Sequence, residues 1–179
     1  NIFEKNIHQP RSIGSITKLM TAFVFLQTQP DLNAPATLTS DDLRLGAVLH
    51  LSIGETVTIR DLLKASLIGS DNSSTAALAR LSGIPIGDFV SRMNEQAAEF
   101  GMQQTTFTDV TGLSSNNVSV VTDLAIMFDR ILENEIIREI TQLSSASLTG
   151  STGRTYTLTS TDELLGSFVD QAPYDIIGG

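Results

Sequence analysis

Two short patterns in this chain could do chemistry. In "RSIGSITKLM", Ser15 stands three residues before Lys18. Positions three apart on a helix share a face, with Cβ atoms about 5–6 Å apart. A serine hydroxyl is a poor nucleophile until a neighbouring base takes its proton. A lysine can be that base once part of its amine is neutral, and burial drives it there because desolvation penalises the charged form. The residues after Lys18 (Leu19, Met20, Phe23, Val24, Phe25 and Leu26) are apolar nearly all round and supply such surroundings. Ser15 follows Gly14 at a helix start, where backbone N–H groups are free, so its own N–H could help to stabilise an oxyanion. An N-cap serine followed by a snorkelling lysine would give the same spacing with no chemistry. Of the three lysines, Lys5, Lys18 and Lys64, only Lys18 has a serine three residues before it.

The second pattern is "LIGSDNSS", with Ser70, Asp71 and Asn72 between two helical segments. In such a turn the hydroxyl could relay a proton and the Asn72 amide could hold a peptide backbone. The same residues are ordinary turn and cap formers. The spacing also recurs at Ser114-Ser115-Asn116 and Ser115-Asn116-Asn117, in a polar loop after Gly112.

The totals limit the other chemistries. The chain has 179 residues, the size of one domain, and 41% of them are apolar. It has no cysteine, which excludes disulfides, thiolate metal sites and cysteine nucleophiles. Its two histidines, His8 and His50, lie far apart in sequence, so neither a multi-histidine metal site nor a resident metal cofactor is expected. The net charge of -9, with no basic cluster, repels nucleic acid and anionic membranes alike. The longest apolar run, Leu19 to Leu26, is too short to span a bilayer.

The elements that must position the two patterns follow from periodicity. Ile2 to Glu4 reads as a strand, Lys5 to Pro10 as a turn, Ser15 to Gln27 as a helix and Pro30 to Pro35 as a loop. Val48 to Ile59 reads as a hairpin that turns at Gly54-Glu55. Thr58, with Asp61 three residues on, caps a helix that stops near Gly69. A second apolar helix runs from Asn72 to Gly83, and a third from Gly87 to Phe100, closed by Gly101. Ser119 is the expected cap of a fourth, which Ile136 to Ile140 would extend. Arg154 to Thr159 alternates as a strand. This order predicts an α/β chain of the α+β type, with a helical lobe beside an antiparallel sheet built from both ends of the chain.

Together the two patterns match two of three that recur in order in penicillin-binding proteins and class A β-lactamases: Ser-x-x-Lys, Ser-Asp-Asn and Lys-Thr-Gly. The surrounding text, "RSIGSITKLMTAFVFL", "LSIGETVTIRDLLKASLIGSDNSSTAALARLSG", "FVSRMNEQAAEFGMQQTTFTDVTGLSSNN" and "VTDLAIMF", resembles the low-molecular-weight penicillin-binding proteins of the D-alanyl-D-alanine carboxypeptidase family, the S11 serine peptidases. The resemblance runs from Ile2 to Gly179 and is weakest between Thr141 and Gly150. It implies a β-lactamase/transpeptidase-like fold and a single catalytic domain over residues 1–179. It also implies an extracytoplasmic location and no cofactor.

By that resemblance Ser15 would be acylated by a peptidoglycan stem peptide ending in D-Ala-D-Ala, and Lys18 would take the serine proton. Ser70 would relay a proton to the leaving amine, and Asn72 would hold the substrate backbone. Water would then release the product. β-Lactam antibiotics would enter the same route and leave slowly. Both ends of the chain read as cut, and "DIIGG" stops where the family continues into Lys-Thr-Gly. The polypeptide alone is therefore expected to be inactive or nearly so, with its sheet incomplete.

Four rivals stand beside this reading: a D,D-endopeptidase, a β-lactamase, a non-catalytic wall-binding fragment and a Ser-His-Asp hydrolase using His50. Thr105 to Asn117 holds Asp109 but no glutamate of the kind a class A β-lactamase uses for deacylation. His50 alternates with Leu49 and Leu51 and is expected to face solvent. Arg11 reads as a loop-fixing residue, Asp109 to Gly112 as turn chemistry, Asn117 as structural and Arg154 as a partner for an acid near the sheet.

Overall fold

The computed structural model of the chain describes residues 5–44 and 51–162. In chain order its helices are α1 (Thr17–Leu26), α2 (Ile59–Leu67), α3 (Asn72–Leu81), α4 (Ile86–Phe100), α5 (Val121–Ile131) and α6 (Glu135–Thr141). Helix α1 touches each of the other five, which is why its sequence is apolar on almost every side. Phe25, Met20 and Val24 of α1 share the core with Phe89 and Met93 of α4, Met127 of α5 and Phe107. Phe25, Phe89, Phe107, Met20, Met93 and Met127 are fully buried.

Local chemistry sets the helix ends. Thr58 and Asp61 form the expected capping box on α2: the Thr58 hydroxyl accepts from the Asp61 N–H at 3.1 Å, and the Asp61 carboxylate accepts from the Thr58 N–H at 3.4 Å. Asp71 caps α3, accepting from the Ser74 N–H at 2.6 Å. Gly101 closes α4 at φ +84°, a left-handed conformation that suits glycine.

The described residues hold three two-stranded antiparallel sheets. They pair β1 (Arg11–Ser12) with β4 (Val118–Ser119), β2 (Pro35–Thr37) with β3 (Thr56–Thr58), and β5 (Ser145–Thr149) with β6 (Thr155–Thr159).

Several expectations are corrected. The strand at Thr56–Thr58 pairs with Pro35–Thr37 and not with Leu51–Ile53. Leu38 extends that ladder through Leu38 N to Glu55 O at 3.0 Å and Gly54 N to Leu38 O at 2.7 Å, while Ser52 to Glu55 forms a turn. Helix α6 is separate from α5, because the Asn134 carboxamide oxygen accepts the N–H groups of Ile136 and Ile137 at 3.0 and 3.2 Å and starts a new helix. Ser119 lies in β4, and α5 begins after Val120 with no side-chain cap. The expected strand at Ile2–Glu4, the Val48–His50 part of the hairpin and the orientation of His50 lie outside the described residues.

Candidate active site

Ser15 sits two residues ahead of α1, in the 3-10 turn Gly14–Ile16, and Lys18 sits in the first turn of the helix. The change of helix type brings their side chains together. The Lys18 Nζ lies 2.8 Å from the Ser15 Oγ, and it donates to the Thr111 carbonyl at 3.0 Å. Lys18 is only 2% exposed, so it does not snorkel. None of the ion pairs among the described residues includes it. Burial pushes its pKa from 10.5 down to about 8, with the Asp109 and Asp71 carboxylates pulling part of the way back up.

Ser70 closes the triangle. Its hydroxyl donates to the Ser15 Oγ at 2.8 Å across 55 residues of sequence. It occupies the turn between α2 and α3 at φ +52°, a left-handed conformation unusual for a residue with a side chain. The next residue anchors the turn, with Asp71 N donating to Ala65 O at 3.0 Å. Ser15, Lys18 and Ser70 thus form one hydrogen-bonded chain open to solvent at Ser15. Asn72 opens α3 two residues further on, 5% exposed, and among the described residues it makes no hydrogen bond to those three.

The loop 105–117 supplies what the sequence did not reveal. The Asp109 carboxylate accepts from the N–H and hydroxyl of Thr111 and from the Gly112 N–H, folding a tight turn. Gly112 sits at φ +89° against the Ser15 turn, where a Cβ would overlap the Gly14 carbonyl. That close approach puts the Thr111 carbonyl on Lys18. A backbone carbonyl has no side-chain signature, so only the Asp-x-Thr-Gly turn grammar could have hinted at it.

The remaining residues fall outside this cluster. His8 is exposed in the N-terminal turn. Arg11 donates to Gln9 Oε1 at 3.1 Å. Among the described residues Arg154 has no acidic partner: its guanidinium lies 5.1 Å from the Tyr156 ring centre and 3.4 Å from the Ser52 hydroxyl. Among the described residues no group of three or more acidic, histidine or cysteine side chains could hold a metal ion.

A second buried charge lies at the sheet. Glu55 is 3% exposed and accepts from the Thr152 N–H at 2.9 Å, the Thr152 hydroxyl at 2.8 Å, Tyr156 OH at 2.7 Å and Ser151 Oγ at 3.2 Å. The Thr152 N–H and the Tyr156 hydroxyl are the largest of the influences holding its pKa down near 2. Gly150 leaves room for it, since a Cβ there would overlap the carboxylate.

With this geometry in hand, similarity to known proteins becomes specific. A family model described as D-alanyl-D-alanine carboxypeptidase, peptidase S11, matches residues 2–168, and the chain belongs to that family. It is 34% identical over 168 residues to the D-alanyl-D-alanine endopeptidase of Haemophilus influenzae, covering 90% of this chain and 58% of that protein. It is 28% identical over 173 residues to the D-alanyl-D-alanine carboxypeptidase DacF of Bacillus subtilis, covering 92% of this chain and 44% of that protein. The chain therefore spans about half the length of these curated relatives. The crystal structure of the Streptomyces K15 DD-transpeptidase superposes with a TM-score of 0.84 at 26% identity, over 93% of this chain and 71% of that one. A D-alanyl-D-alanine carboxypeptidase from Mycobacterium tuberculosis superposes with a TM-score of 0.79 at 27% identity, over 89% of this chain and 61% of that one. The fold is the mixed α/β fold of these penicillin-binding DD-peptidases.

Proposed function

We propose that the protein carrying this chain is a serine-type D-Ala-D-Ala carboxypeptidase that trims peptidoglycan stem peptides through an acyl-enzyme on Ser15. The observation that carries this reading is the 2.8 Å contact between the Ser15 hydroxyl and a lysine that burial holds near pKa 8. At pH 7 about one such amine in ten is neutral, against roughly one in three thousand for a lysine at 10.5, a gain of about 300-fold in the competent form.

The contacts of Ser15 with Lys18 and Ser70 support the steps at the hydroxyl, and membership of the family suggests the rest. Neutral Lys18 takes the Ser15 proton as the oxygen attacks the carbonyl carbon of the penultimate D-alanine. The Ser15 N–H stabilises the oxyanion as one donor. When the tetrahedral intermediate collapses, the C–N bond breaks and the proton on Lys18 passes through the Ser70 hydroxyl to the departing D-alanine amine. Asn72 holds the substrate backbone. Water then attacks the ester, with Lys18 again as base, and frees Ser15. β-Lactams acylate the same hydroxyl. Such substrates lie outside the cytoplasm, and among the described residues no helix is long and apolar enough to cross a membrane. In this reading residues 1–179 belong to a single catalytic domain.

Benzylpenicillin is the test. Full-length protein should gain one adduct by intact mass, and Ser15→Ala should gain none. An adduct that survives Ser15→Ala removes Ser15 from the mechanism. A second reading, a D,D-endopeptidase that cuts cross-links, is favoured by the names of three relatives that are 34, 34 and 33% identical. Digestion of purified peptidoglycan separates the two, through free D-alanine for the first and loss of cross-linked dimers for the second.

A further inference from the structure

We propose that Asn117 is a positioning residue for the nucleophile: it latches the 108–112 loop onto the start of α1, so that the Thr111 carbonyl fixes one N–H of Lys18 and turns the amine's lone pair toward Ser15. The inference rests on the proposed role of Lys18 as the base.

Asn117 is 0% exposed, and its carboxamide is fully engaged. Its oxygen accepts from Thr108 N at 2.8 Å, Thr108 Oγ1 at 3.0 Å and Asp109 N at 3.1 Å. Its nitrogen donates to Thr17 Oγ1 at 2.9 Å and to the Asp109 carbonyl at 3.0 Å. Its backbone carbonyl accepts from Ile13 N at 3.0 Å. One residue therefore ties together Ile13 just beyond β1, the residue before Lys18 and the loop that bears Thr111. A second tie, Thr21 Oγ1 to the Val110 carbonyl at 2.7 Å, continues the seam along α1. Asparagine suits the place because both acceptor and donor functions are needed on one short side chain.

The consequence for the base is directional. A carbonyl can only accept, so in neutral Lys18 an N–H must point at Thr111, and that leaves the lone pair free for the Ser15 proton. The seam also keeps water from the amine. The charged groups that act on Lys18 are Asp109 on the loop and Asp71 at the start of α3, while Ser15 and Ser70 bring uncharged hydroxyls. If the loop lifts, desolvation weakens while Asp71 stays, and the protonated form regains ground.

The test is the pH dependence of the benzylpenicillin acylation rate in the full-length protein. Asn117→Ala and Thr17→Val should move the acid limb up by about one pH unit and lower the rate at pH 7 about tenfold. Thr17→Ser, which keeps the hydroxyl, should leave the limb where the wild type has it. A purely structural role for Asn117 would scale the rate equally at every pH and leave the limb unmoved, and that result overturns the proposal. Should Asn117→Ala fail to fold, the Thr17→Val and Thr17→Ser pair decides alone, by a limb that moves or one that does not. A wild-type rate with no acid limb, or labelling that persists in Ser15→Ala, overturns the role of Lys18 and Ser15 and the latch with it.

Discussion

Lys18 and Glu55 are buried to the same degree, 2% and 3% exposed, yet the protein treats their charges in opposite ways. Glu55 collects hydrogen bonds from Ser151, Thr152 and Tyr156, and it is held ionised near pKa 2. Among the described residues Lys18 has two oxygen partners and no ion pair, and burial holds its pKa near 8. Burial alone does not make a group reactive. A buried charge given enough partners becomes a rivet, and one given too few becomes an acid or base with a displaced pKa. Glu55 joins the turn before β3 to the β5–β6 hairpin, whereas Lys18 faces a solvent-open hydroxyl.

The largest expected effect falls on the reactive side of that contrast. Lys18→Met should lower benzylpenicillin acylation by about 10³-fold, read from the rate of adduct formation, because the base is gone while the hydroxyl stays. A loss of less than about tenfold would mean another group deprotonates Ser15. Gly112→Ala comes next. A methyl group there meets the Gly14 carbonyl at a left-handed φ, so the Thr111 loop must shift off Lys18, and acylation should fall about 10²-fold with the chain still folded.

Stability should separate the two charges by sign. For Lys18 the cost of burial is present in full below the folded pKa of about 8 and vanishes as pH rises toward 10.5. Lys18→Met should therefore be more stable than wild type at pH 7 by about 1–2 kcal/mol, roughly 3 kcal/mol of relieved desolvation less the lost bond to Thr111. Chemical denaturation checks it, and the gain should shrink between pH 8 and 10.5. For Glu55 the folded pKa is depressed, so its contribution is present above 4.5 and is lost as pH falls toward 2. Glu55→Gln should destabilise the protein at pH 7 and expose the Gly150–Arg154 turn, with tryptic cleavage after Arg154 about tenfold faster. The smallest effect belongs to the surface pair Arg130–Glu133, 3.6 Å apart with side chains 55% and 69% exposed. Removing it should change stability by less than about 0.5 kcal/mol.

Helices were legible in the sequence where the chain marks its own boundaries. The Thr58–Asp61 box, the Gly101 cap and the all-round apolar face of α1 are local signals, and they predict α1 to α4 within one or two residues. Pairing was not legible. The partner of Thr56–Thr58 is a three-residue strand led by a proline, and β1 and β4 are two residues each, too short for any alternation to register. The break at Asn134 leaves no mark in the pattern, because apolar spacing runs through it while a single side-chain oxygen decides it.

The site divides in the same way. Ser15 and Lys18 stand out by residue type and spacing, whereas Ser70 and Asn72 gain weight only from the family resemblance; the fold brings Ser15, Lys18 and Ser70 together and leaves Asn72 without a hydrogen bond to them among the described residues. Thr111 acts through its carbonyl, Gly112 through the absence of a side chain and Asn117 through contacts spread over 100 residues, so none has a signature in one dimension.

The titration of Lys18 tests the central claim most directly. With only three lysines in the chain, ¹³Cε-lysine NMR across alkaline pH, with Lys18→Met to assign the signal, reads that amine alone. The account predicts a midpoint near 8. A midpoint at the ordinary 10.5 would leave Ser15 beside a permanent ammonium and contradict it.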